Sequence, residues 1–176
     1  ESPLYIPVYL SFGQLRNLSE ADWYGQVHLQ IARQTNGQLP IPRDPAPHAL
    51  ALQEEIVMAL EGPLNGKVLV VLLDQVEATP DVVSTGFFAT LREMFVNRTM
   101  RPALRNAVFV LAGRFIPDEL IKDPAISPFR VTEIIYVEDA DLEGITKLVA
   151  WLGNDKRQLS SDVPARIYEW TASRHT

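Results

Sequence analysis

Residues Lys67 to Asp74 read KVLVVLLD, an almost unbroken apolar run that closes on an acid. Such a run is typical of a strand covered on both faces in a parallel sheet. The segments around it are spaced to complete that sheet. YIPVYLSF (Tyr5 to Phe12) and NAVFVLAG (Asn106 to Gly113) read as buried strands, and TEIIYV (Thr132 to Val137) as a fourth. Ser19-Glu-Ala-Asp22 resembles a capping box, with Trp23, Val27 and Ile31 on one face of the helix after it. Leu52, Ile56 and Leu60 face inward on a second helix, and Phe87, Leu91 and Phe95 on a third, which Thr79 caps with Pro80 in its first turn. Leu142, Ile145, Val149 and Leu152 mark a helix ending at Gly153, and a last short helix surrounds Ile167 and Trp170. The proline-rich QLPIPRDPAP (Gln38 to Pro47) is expected to be an ordered loop or an excursion. This order predicts an α/β three-layer sandwich with a mainly parallel sheet. The core spans 1–153, and 154–176 begins a helical lid or subdomain.

Composition narrows the function. With 176 residues, 47% of them hydrophobic, the chain is long enough for one sizeable core. It has no cysteine, so disulfides, thiolate catalysis and cysteine-held metals are excluded within it. No run reaches the roughly 18 apolar residues of a membrane span, and no signal-peptide layout opens the chain, so a cytoplasmic, membrane-free protein is expected. A formal charge of −6, with the two signs well mixed, gives no electrostatic footprint for nucleic acid. The most basic stretch, with Arg98, Arg101 and Arg105, reads as a helix end and a solvated turn rather than a phosphate-binding patch. His28, His48 and His175 show no metal-ligand spacing. The chain opens at Glu1 rather than Met, which points to an excerpt or a processed product.

GPLNGK (Gly62 to Lys67) is not a phosphate loop. It has three residues between its glycines where G-x-x-x-x-G-K-[ST] needs four, Val68 stands where a hydroxyl belongs, and the helix precedes it instead of following. It reads as a helix stop and a turn. Asp74 is the stronger lead. An acid at the carboxyl end of a buried parallel strand sits where open α/β sheets bind ligands, and a Walker B carboxylate holds magnesium through water in that position. On the residues alone, an Asp that merely caps the next element is the preferred reading.

VVLLDQVEA, then GFFATLREMFVNRTMRPALRNAVFVLAG, then IPDELIKDPAISPFRV, resembles the AAA-like domain of bacterial STAND signalling ATPases. YIPVYLSFGQLRNLSEADWYGQVHLQIARQ is similar to the family's second strand and the helix after it, so the likeness runs from Tyr5 to about Trp170. The resemblance implies a P-loop NTPase sheet whose phosphate-loop strand lies upstream of Tyr5 and is missing. That strand sits centrally in the family's sheet, so a gap is expected. The resemblance further implies that Asp74 binds the cofactor and its magnesium, that Gln75 stands where the family has a catalytic Glu, and that Arg114 could sense a terminal phosphate. The residues alone favour a surface arginine at position 114. A glutamine positions water but cannot accept its proton, so hydrolysis is expected to be slow or absent. The family's Pro-Phe-Asn-Ile-Gly appears as Pro128-Phe129-Arg130-Val131-Thr132, and Ser173 and His175 replace a Gly and a Pro of its lid segment.

Two functions follow from the resemblance. The first is an inactive regulatory module of a larger bacterial signalling or defence protein, acting as switch or scaffold for protein partners or fused sensor and effector domains, with oligomerisation open to it. The second is a working ATPase whose phosphate loop lies upstream of residue 1, in which Mg-ATP is the cofactor.

Overall fold

The computed structural model of the protein describes residues 4–39, 48–137, 140–152, 160 and 162–172. The expected proline-rich loop beyond Leu39, the helix stop at Gly153 and the Ser173 and His175 positions lie outside them. The described residues form two compact units that divide between Glu133 and Ile134. The boundary expected after Gly153 falls among residues that are not described.

The first unit is built on a fully parallel three-stranded sheet in the order β1 (Leu4–Ser11), β2 (Lys67–Asp74), β3 (Ala107–Leu111). The three strands are contiguous, so the expected gap does not interrupt them. Helices α1 (Glu20–Gln34), α2 (Ala49–Glu61) and α3 (Asp81–Val96) share one apolar core with one face of this sheet. Val8 and Leu10 of β1 and Leu69, Val71 and Leu73 of β2 point into it. Trp23, Val27 and Ile31 of α1, and Leu52, Ile56 and Leu60 of α2, meet them there, all buried on the faces their spacing marks. Ser19 is the N-cap of α1, its Oγ accepting from Asp22 N at 3.2 Å.

The opposite face of the sheet differs from expectation. Alternation places Tyr5, Pro7 and Tyr9 of β1, Val68, Val70 and Leu72 of β2, and Val108 and Val110 of β3 together on it. Tyr5 is 59%, Tyr9 52% and Val110 44% exposed, and the β2 residues are half-buried. β2 is thus covered on one face and only partly on the other. An apolar run reports what a strand could bury, not what is present to bury it.

The outer edge of β1 is blunted. The Gln34 side-chain amide stands in for a neighbouring strand, its Oε1 accepting from Tyr9 N and its Nε2 donating to Tyr9 O, both at 2.8 Å. Pro7, two residues earlier, has no N–H to offer at that edge.

Other expectations need correction. Thr132 to Val137 forms no strand. Its composition favours extended backbone, but a strand exists only by pairing, and Val137 is 94% exposed. Thr79 does not cap α3; its hydroxyl donates to Val76 O at 2.7 Å, and Pro80 occupies the N-cap. Phe87 and Leu91 are buried, but Phe95 is exposed beneath the Arg98 guanidinium, 4.4 Å from its ring centroid. Arg98 itself donates to Ala107 O at 2.7 Å, and Arg105 donates to Arg98 O, so this basic stretch ties the chain leaving α3 to the start of β3.

A four-residue helix, α4 (Pro117–Leu120), follows β3. The second unit holds α5 (Leu142–Leu152) packed on α6 (Val163–Ala172). Ile145 and Val149 of α5 are buried, whereas Leu142 is largely exposed. Among the described residues no helix is long and apolar enough to cross a membrane.

Candidate functional site at the carboxyl end of the sheet

The strand order puts the end of β2 between its neighbours, so the residues leaving it meet both. Asp74 pairs with Ser11 at the end of β1, on the open face of the sheet. Each of its carboxylate oxygens accepts one hydrogen bond from the protein, Oδ2 from the Tyr9 hydroxyl at 2.8 Å and Oδ1 from Gln75 N at 2.9 Å. That carboxylate holds the Tyr9 proton and pushes the phenol above its ordinary range, with burial adding to the effect.

Gln75 adopts the left-handed conformation, with φ 56° and ψ 45°. A non-glycine residue there is uncommon, and it persists only where the surroundings hold it. Two contacts do so. The Ser11 hydroxyl donates to Gln75 Oε1 at 3.0 Å, and the side chain lies against the bare Cα of Gly13, where a Cβ would stand 2.0 Å from Oε1. A short 3-10 turn, Val76–Ala78, follows, and the segment after β3 closes over it. Ala112 N donates to Leu73 O at 2.7 Å and Ala112 O accepts from Val76 N at 3.2 Å. Beside that junction, Glu77 Oε2 is buried without a hydrogen-bond partner, against the Gly113 Cα.

The structure therefore brings Asp74 and Gln75 together with Tyr9, Ser11 and Gly13. Arg114 is exposed just beyond Gly113, and no hydrogen bond or ion pair joins it to Asp74 or Gln75. Tyr9 has no signal in sequence, because its meeting with Asp74 depends on a strand register that sequence does not state.

A magnesium ion at this strand end would compete with the protein for these residues. Both Asp74 oxygens already accept from the protein, and the Gln75 amide is held between Ser11 and Gly13. No group of three or more His, Asp or Glu suited to a metal occurs among the described residues. GPLNGK lies at the other end of β2, where it ends α2 and turns the chain through Gly66 at φ +75°. Lys67 is spent there on Gln38 Oε1 and Pro63 O, each at 3.2 Å. Surface cavities also lie elsewhere, one at the amino ends of β1 and β2, another beside α3 at Ala125 and Ile126.

Sequence reasoning also passed over a second polar pair, inside the core. His28 on α1 and Glu55 on α2 meet with Nδ1 and Oε2 2.5 Å apart, His28 being 1% and Glu55 13% exposed at the side chain. Burial pushes His28 down to about 4 and Glu55 up to about 7. Burial thus favours the uncharged form of both groups.

Comparison with protein-family models, curated proteins and solved structures finds no match to this chain.

Proposed function

We propose that the chain is a regulatory module of AAA-like or STAND type within a larger cytoplasmic bacterial signalling or defence protein, and that it hydrolyses ATP very slowly or not at all. In this reading the sheet is a fragment of the P-loop NTPase three-layer sandwich. The module serves as a switch or scaffold for protein partners or for fused sensor and effector domains. The observation that carries the reading is Gln75. It stands directly after the acid that ends the central strand, where a hydrolytic site needs a proton acceptor, and its side chain is tied to Ser11. An amide has no basicity to offer at neutral pH. The open sheet face supports a docking role, because Tyr5, Tyr9, Val108 and Val110 present apolar surface that a partner could cover.

ATP turnover by the full-length protein tests this. Neither the wild type nor Gln75→Glu is expected to release phosphate above background. Turnover by the wild type at an ordinary enzymatic rate, on the order of one per second or faster, would refute the reading. Turnover by Gln75→Glu alone would refute a scaffold and leave a stalled ATPase.

A further inference from the structure

The hydrogen bonds at the strand end close on one another. We infer that Tyr9, Ser11, Gly13, Asp74 and Gln75 form a closed clamp joining the ends of β1 and β2, and that the module is a nucleotide-independent scaffold rather than a nucleotide switch. This rests on the reading above and decides between its two roles.

Each part of the cluster answers another part of it. Tyr9 and Asp74 lie on the same sheet face, two residue pairs apart along the ladder, so the phenol reaches the carboxylate diagonally across the strands. The left-handed turn at Gln75 directs its own N–H back to Asp74 Oδ1. The same turn lays the Gln75 side chain across Gly13, where the Ser11 hydroxyl meets it. The bonds run from β1 to the end of β2 and from the turn back to that strand end. Each Asp74 oxygen spends one of its acceptor sites on a protein donor, so a hydrated magnesium ion would have to share a carboxylate already oriented by Tyr9 and the Gln75 N–H. The Gln75 oxygen accepts from Ser11 and lies over Gly13, which fixes the direction in which its amide points.

Thermal unfolding of the full-length protein, with and without Mg-ATP, tests the clamp. Asp74→Asn is expected to lower the midpoint by about 3 °C. Tyr9→Phe should lower it as well, and the double variant should lose less than the sum, because both changes break one bond. Gly13→Ala should lower it by displacing Gln75, and less so when Gln75 is also changed to Gly. Mg-ATP should leave every midpoint where it was. A nucleotide-dependent rise in the wild type that disappears in Asp74→Asn would overturn the inference, as would purely additive losses in the double variant. Should Asp74→Asn fail to fold, Tyr9→Phe removes a single hydroxyl and carries the same test against Mg-ATP. Nucleotide binding without turnover would sink this inference alone, whereas turnover would sink the reading beneath it.

Discussion

Trp23→Ala is expected to lower the unfolding midpoint by about 10 °C, corresponding to a loss of roughly 3–5 kcal/mol. Trp23 is fully buried where α1, α3 and the end of β1 converge. Its ring meets Phe12 at 4.9 Å, Phe87 at 5.1 Å and Tyr24 at 5.0 Å between centroids, each edge to face. Phe87 also touches Phe12 and Phe88, so one truncation opens a cavity lined by aromatic rings that cannot all collapse into it. Trp23→Phe retains much of that contact and should cost less than half as much. Calorimetric unfolding of the two variants beside the wild type measures both; equal losses would mean that ring packing is not what the site supplies.

The next largest effect depends on pH and lies in the His28–Glu55 pair. Glu55 keeps its proton up to about 7 in the folded chain, against 4.5 ordinarily. Its contribution to stability is complete below about pH 4.5 and is lost as the pH rises through 7. His28 has the opposite sense. Pushed from 6.5 down to about 4, it contributes fully above pH 6.5 and loses that contribution as the pH falls toward 4. Each contribution is on the order of 2–3 kcal/mol. Between about pH 4.5 and 6.5 the Glu55 loss and the His28 gain run in opposite directions and cancel, so wild-type stability should be level there and fall by less than about 1 kcal/mol on either side. Glu55→Gln cannot ionise, so it should abolish the alkaline decline and uncover the whole His28 dependence, a fall in stability from about pH 6.5 down to 4. Midpoints measured from pH 4 to 8 test this, and a decline in Glu55→Gln above pH 6.5 matching the wild type would place its cause elsewhere.

Much of the first unit was legible because its signals are local. The run Lys67–Asp74 is a strand, and the inward residues of α1 and α2 follow from helical spacing. Phe95 was misplaced by the same arithmetic: eight residues beyond Phe87 the helix has drifted about 80° off the shared face, and Met94, seven beyond, takes the buried position. The His28–Glu55 pair left a signal of its own. His28 is one turn beyond Tyr24 and Glu55 is three residues beyond Leu52, both on inward stripes where a polar residue needs a partner.

What sequence could not supply was pairing. Thr132–Val137 has strand composition without a ladder, and the second face of β2 is apolar whether or not anything covers it. At the candidate site, Asp74 and Gln75 were visible from the end of an apolar run. Tyr9, Ser11 and Gly13 were not, because only the parallel register of β1 on β2 brings them there.

Calorimetric titration of Mg-ATP into the full-length protein, with Asp74→Ala alongside, bears most directly on the central claim that this strand end is a clamp within a scaffold. The expected result is no heat beyond dilution in either protein, together with a lower unfolding midpoint for the variant. Saturable binding to the wild type that vanishes in Asp74→Ala would contradict the claim and return Asp74 to the role of a magnesium ligand.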